Sequence, residues 1–230
     1  MKVTSLLRMV AVGVLMAAPS LASADVVADS VADWSADGTQ GANGWTYGFY
    51  DASADTDGAY GAGDFQAFAG PTWVWAGSNW DEANTDGDNV PWTTVAQESG
   101  HPNGDNNGVV HHAVRRWESD YSGDATVSWN LAKQNANCGN GTTGLLYLNG
   151  SLLDQFTVDG TDATGVTRSV DITLASGDVL DLALSPLGLD GTLADGCDGS
   201  FFGMQVNAVP EPNCLALLFL GVLPLLRRRK

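Results

Sequence analysis

The sequence predicts an all-β protein, a two-sheet antiparallel β-sandwich of the jelly-roll or a related kind, with a signal helix before it and a membrane-directed helix after it. Three observations predict the sandwich. The 230 residues include 28 Gly, and of 27 acidic residues only Glu82, Glu98, Glu118 and Glu211 are not Asp; Gly and Asp favour turns over helix interiors. Several segments alternate apolar and polar residues, the period of a half-buried strand. Between the two ends of the chain no segment sustains a 3.6-residue apolar period, and turn residues recur at short spacing.

Residues 1–24 come first. Lys2 and Arg8 precede the apolar stretch Met9 to Ala18, and Ala22-Ser23-Ala24 follows. Charged region, hydrophobic region and small-residue cleavage site stand in the order of a secretory signal, with the cut after Ala24 and before Asp25. The apolar stretch falls short of the ~20 residues that span a bilayer, which weighs against a permanent anchor.

Residues 25–208 carry the sandwich. In Asp124 to Lys133, Ala125, Val127, Trp129 and Leu131 share one face and Thr126, Ser128 and Asn130 the other. Leu145 to Leu148, then Asn149-Gly150, then Leu152 to Val158 predicts a hairpin, because Asn-Gly accommodates the two positive φ angles of a type I′ turn. Val166 to Leu174, Asp178 to Leu184 and Ser200 to Val206 follow as strands. Upstream, Gly44 to Tyr50, Phe65 to Phe68, Thr72 to Ala76 and Val109 to Trp117 are separated by Asp/Asn/Gly loops, giving about nine strands in all. Cys138 and Cys197 form an even pair in an exported segment, which predicts one disulfide closing a loop of about 58 residues and contributing roughly 4 kcal/mol at most. Neither cysteine has the close neighbours of a zinc site.

Residues 209–230 close the chain. Val209-Pro210-Glu211-Pro212-Asn213 precedes an almost wholly apolar segment, 214–226, and then Arg227-Arg228-Arg229-Lys230. The prolines mark a boundary, the apolar segment suits a transmembrane helix, and the basic tail stays cytoplasmic by the positive-inside rule. This ending resembles the PEP-CTERM sorting signal of bacterial surface proteins. The resemblance implies that Pro210, Glu211 and Pro212 are the motif met in the membrane by an exosortase-type processing enzyme, which releases or transfers the protein to the cell surface or extracellular polymer. At ~1.5 Å per residue the apolar segment is shorter than a ~30 Å hydrocarbon core, which suits a transient signal. Cys214 is a small apolar helix residue or a lipidation point.

A second resemblance rests on the segment from Gln40 to Tyr50, with Trp45-Thr46-Tyr47-Gly48-Phe49-Tyr50 at its centre, His101-Pro102, Ala113-Val114-Arg115-Arg116-Trp117, Asn149-Gly150, Ser176-Gly177-Asp178 and Asp198-Gly199-Ser200-Phe201. These resemble a galactose-binding-like jelly-roll module of exported planctomycete-type bacterial proteins. The resemblance spans most of residues 29–207 and implies a fold and a surface role more than a ligand. Cys138, Asn140 and Gly141 depart from the Asp/Gly-rich loop of that pattern.

Charge excludes some partners. The chain has a formal charge of −17, but six of its ten cations belong to the two ends. Residues 25–209 hold 26 acids against Arg115, Arg116, Lys133 and Arg168, a balance of −22. No basic face can form from four scattered cations, so nucleic acid is not a partner, and anionic surfaces are disfavoured.

Chemistry is sparse. There is no G-x-S-x-G elbow, and His111 and His112, adjacent in a strand, point to opposite faces and cannot chelate one ion together. Arg115 and Arg116 also face oppositely, as structural ion-pair partners. Asp55, Asp57, Gly58 and Asp64 echo a calcium loop without completing it, so two readings stand: turn-forming acids, or a loop that holds structural Ca²⁺. A second echo runs from Glu82 to Thr93. Trp45, Trp117 and Trp129 are assigned to packing, whereas Trp73, Trp75, Trp80 and Trp92 are candidate platforms for sugar rings. The reading is an exported, surface-sorted, non-enzymatic β-sandwich that binds carbohydrate or adheres within extracellular polysaccharide. The alternatives are a small polysaccharide-active enzyme and a structural, calcium-dependent surface-layer component.

Overall fold

A computed structural model describes residues 24–82 and 91–210. The expected signal segment before Ala24, and Glu211, Pro212 and the apolar segment 214–226, lie outside the described residues. Fourteen strands are present among the described residues: β1 (Val26–Asp29), β2 (Trp45–Asp51), β3 (Phe65–Ala67), β4 (Trp73–Trp75), β5 (Asn79–Glu82), β6 (Thr94–Ala96), β7 (Ser99–His101), β8 (His111–Glu118), β9 (Gly123–Lys133), β10 (Thr142–Leu148), β11 (Ser151–Val158), β12 (Val166–Leu174), β13 (Val179–Ser185) and β14 (Ser200–Ala208). Three single-turn 3₁₀ helices are the helical content of the same residues.

The strands form two antiparallel sheets. The large sheet runs β12-β9-β14-β7-β6-β5-β4, with β1 also paired to β14, and the small sheet runs β11-β10-β13-β8-β2-β3. From β8 onward the chain passes between sheets at almost every connection, which is the jelly-roll habit. The strand boundaries follow the alternation. On β9 the side chains of Ala125, Val127, Trp129 and Leu131 are buried while Asn130 is exposed. Trp45, Trp117 and Trp129 fill the space between the sheets as predicted, and each such buried side chain contributes about 1.5–3 kcal/mol through the water it excludes.

Turn chemistry agrees with the geometry. Asn149 and Gly150 take φ angles of 51° and 81° between β10 and β11. Cys138 and Cys197 are joined, with Cα atoms 5.7 Å apart. The predicted strands fall short of these fourteen because β1, β5, β6 and β7, each three or four residues long, are not among them. Their tertiary neighbours, not their own composition, hold them extended.

Of the two fully buried cations among the described residues, one departs from simple ion pairing. Arg115 faces the interior, fully buried, with no carboxylate partner among the described residues. Its Nη2 donates to the carbonyls of Ala96 (2.6 Å) and Ser99 (3.3 Å), and its guanidinium lies 4.4 Å from the Phe202 ring centre. Burial pulls its pKa down to about 10, so the charge remains at neutral pH. Lys133 and Asp198, both fully buried, pair at 2.8 Å at the end of β9.

The outer face of the small sheet is covered. Residues 52–64, between β2 and β3, place Tyr60 over Tyr50 and Tyr147, with ring centres 5.1 and 4.5 Å away. The Tyr60 hydroxyl donates to Asp181 Oδ2 at 2.7 Å. Arg116 grips the same carboxylate through Nε (2.7 Å) and Nη2 (2.8 Å) and also donates to the Ala62 carbonyl at 2.8 Å. Neutral and charged groups are thus sealed under one strap.

Candidate functional site

The outer face of the large sheet is left open. Register aligns three strands across it: Asn130 of β9 stands opposite Thr167 of β12 and Gly203 of β14, and Ser128 stands opposite Ser169 and Gln205. Asp29 of β1 stands opposite Gln205 on the far side of β14. Because side chains alternate, each of these residues faces outward while Trp129, Met204 and Val166 of the same strands turn inward. The row of short polar side chains is continuous, with Ser128 and Ser169 hydroxyls 3.0 Å apart and Thr126 donating to Asp171 at 2.7 Å.

Over Gly203 the face dips into an open groove of ≈ 520 Å³. Asp29, Ser128, Asn130, Thr167 and Gln205 line it. A Cβ at position 203 would come within 3.2 Å of the Asn130 side-chain oxygen and of Ser30 Oγ, so glycine keeps the floor low. Phe201 stands on the same face two residues earlier, 37% exposed. Amide and hydroxyl groups are what sugar hydroxyls hydrogen-bond to.

Asp29 is the fixed charge of the groove. Its Oδ1 accepts from the Val31 and Ala32 amides at 2.9 and 3.0 Å, and its Oδ2 accepts from Gln205 Nε2 at 2.8 Å. Burial works to raise its pKa, yet the Ala32 and Val31 amides and the Gln205 side chain outweigh it and hold the carboxyl below the usual range. Asp29 is therefore ionised at neutral pH.

The residues singled out in the sequence are placed elsewhere. Trp73 and Trp80 are only 7% and 9% exposed and belong to the core, where Trp73 packs on Phe49 and Phe68. They are not platforms for a ligand, because the aromatic-rich first half is used to fill the space between the sheets. Trp75 is half-buried against Trp34 and Trp80. Trp92 stays exposed, at 44%, in a loop where its amide donates to Asn103; it is not among the residues lining the groove.

The calcium echo does not close on a centre. Asp55 accepts the Tyr50 hydroxyl at 2.6 Å, Asp57 caps the Ala59 amide at 2.9 Å, and Asp64 caps the Gly61 amide at 2.6 Å. Each carboxylate serves its own turn, and among the described residues no group of three or more His, Cys, Asp or Glu is arranged to hold a metal ion. Ala24 and Asp25, at the expected cleavage point, are exposed, and the Asp25 carbonyl accepts from the Ala208 amide at 2.8 Å. Pro210, the first residue of the expected sorting motif, is exposed at the end of the described chain.

One arrangement has the residue types of a hydrolase. Thr93 Oγ1 lies 3.0 Å from His111 Nδ1, and His111 Nε2 lies 3.8 Å from Asp51 Oδ2. Thr93 is fully buried and His111 nearly so, with its ring 4.5 Å from that of Phe49. Burial pulls the imidazole down to about 4 against the opposing Asp51 charge. The Thr93 hydroxyl and the His111 ring are thus buried in the interior, with Asp51 at its partly exposed edge. His112, on the opposite face, meets Tyr50 edge-on at 5.2 Å, and burial with the His111 charge pulls it down to about 4 as well.

Sequence reasoning missed the groove. One signal was present: Phe201-Phe202 in a strand must send one ring inward and the other out.

No family model matches the chain, and no curated protein matches it. Among solved structures, it is similar to a CBM51 from Clostridium perfringens GH95 in complex with methyl-galactose, at 15% identity and a TM-score of 0.33 over 52% of this chain and 76% of that one. It is also similar to a CBM35 from Paenibacillus barcinonensis, at 15% identity and a TM-score of 0.28 over 70% and 98%. A β-glucosidase from Kluyveromyces marxianus in complex with glucose matches at 17% identity and a TM-score of 0.32, over 78% of this chain but 18% of that one. Likenesses at this level carry no argument about a ligand, and the function rests on the groove itself.

Proposed function

We propose that the protein is an exported, surface-sorted, non-enzymatic component of the cell envelope or extracellular polymer that binds polysaccharide in the groove over Gly203. The observation that carries this reading is the groove: ≈ 520 Å³ of open space on a sheet face, lined by amide, hydroxyl and carboxylate groups together with apolar residues such as Val31, Ala132 and Val166, over a glycine. Sugar hydroxyls are matched by such neutral donors and acceptors, and Phe201 stands exposed on the same face two residues from Gly203. Export is supported by the Cys138–Cys197 disulfide, which persists in oxidising compartments, and by the order of motifs in residues 1–24 and 209–230.

Affinity electrophoresis through gels containing neutral, acidic and amine-bearing polysaccharides tests the binding. The protein is retarded, Gly203→Leu is not, and no reducing sugar is released. Unchanged mobility in every gel, or retardation that survives Gly203→Leu, overturns the reading. Sorting is checked by the intact mass of the protein recovered from its native surface, which is expected to begin at Asp25 and end near Pro210 to Pro212.

A further inference from the structure

The groove has an unbalanced charge. Asp29 is a half-buried carboxylate lining it, and its three donors leave acceptor capacity on Oδ2, which takes one of them. No cation is at hand to balance it. Among the described residues Arg116 is bound to Asp181, Lys133 to Asp198 and Arg168 to Asp154, while Arg115 is sealed in the core. The other polar side chains of the groove, Ser128, Asn130, Thr167 and Gln205, are neutral. An anionic sugar would therefore meet a fixed negative charge with no counter-charge, in a domain whose residues 25–209 already total −22.

Resting on the reading of the groove as a sugar site, we infer that it selects glycans bearing protonated amino groups, the chemistry of a deacetylated amino-sugar polymer, over neutral and uronate-bearing chains. The ammonium group docks on Asp29 Oδ2, where partial burial strengthens the pairing relative to open solvent. Sugar hydroxyls on either side are met by Asn130, Ser128 and Thr167. The acidic surface as a whole raises the local concentration of such a polymer, and Asp29 provides the specific contact.

Calorimetric titration with three hexasaccharides, of glucosamine, of N-acetylglucosamine and of glucose, tests this at a pH where the amines are protonated. The glucosamine hexamer is expected to bind at least tenfold more tightly than the other two. Asp29→Asn removes that gap and leaves the weaker binding in place; Asn130→Asp, at an exposed position, widens it. If the N-acetylated or glucose hexamer binds as tightly as the amine and Gly203→Leu still abolishes binding, the charge preference is overturned and the sugar groove stands. If the glucosamine hexamer binds equally to wild type, Asp29→Asn and Gly203→Leu, the attraction belongs to the acidic surface at large and the inference also falls. If no hexamer binds and no polysaccharide gel retards the protein, the groove reading itself falls.

Discussion

The two sheets expose their outer faces to very different fates. On the small sheet that face carries Tyr50, Val114, Arg116, Tyr147 and Asp181, and residues 52–64 fold over it to make a second small core. On the large sheet it carries Thr126, Ser128, Asn130, Gln205 and Thr167, and over the groove it stays open. The same alternation builds both faces. What differs is whether the outward residues need to be hidden: tyrosines and a desolvated carboxylate do, whereas hydroxyls and amides are satisfied by water or by a ligand that resembles it. One sheet has used its outer face for stability and the other has left it open to solvent.

That division can be broken most forcefully at Asp181. Asp181→Ala leaves Arg116 and Tyr60 without their shared acceptor under the strap, and removing one partner of a buried pair costs about 3–5 kcal/mol. A large fall in Tm is expected, together with new proteolytic cleavage within residues 52–64 and unchanged strand pairing in the large sheet by hydrogen exchange.

Acid is the next lever, with a sign the structure sets. His111 and His112 have folded pKa values near 4, below the unfolded ~6.5. The unfolded chain then binds more protons between those values, so stability is full above pH 6.5 and falls as pH drops toward 4, by up to ~1.4 kcal/mol per pH unit for each histidine. Asp198, pushed up to about 6 by burial against the pull of Lys133, works in the opposite sense. Denaturant melts across this window are expected to lose their downward slope in the His111→Gln/His112→Gln double variant.

Changes on the open face are expected to be small in stability and visible only in binding. Phe201→Ala removes an exposed ring and weakens polysaccharide retention by the ~0.5–1.5 kcal/mol typical of an aromatic contact, with Tm nearly unchanged. Thr126→Ala, which removes the hydroxyl bonded to Asp171, shifts stability by less than ~1 kcal/mol. If either lowers Tm as Asp181→Ala does, the contrast between the faces is lost.

The fold was legible where strands were long. Asp124 to Lys133, Val166 to Leu174 and the Asn149-Gly150 hairpin stand where alternation and turn chemistry put them. The short strands were not legible, since Ser99-Gly100-His101 has no alternation to read and is held extended by pairing with β14 and β6. The site was harder still. Its polar residues come from β1, β9, β12 and β14, segments far apart in the chain, and along any one strand they look like an ordinary solvent face. Tryptophans drew attention in the sequence because they are rare and large, yet size is also what fits Trp73 and Trp80 to the core.

The pairing of β1 with β14 has a mechanical consequence. Val26 is opposite Asn207 and Asp29 opposite Gln205, while β14 is held on its other side by nine residue pairs with β9, and the Val209 amide is tied to the Asp124 carbonyl at 2.8 Å. A pull exerted on the chain beyond Val209 runs along β14, perpendicular to the hydrogen bonds that flank it. Those bonds must then slip together in shear instead of opening one after another like a zip. Gly203 and Gln205 lie on the same strand, so tension applied at Val209 would reach the floor of the groove through a single backbone that is hydrogen-bonded on both sides.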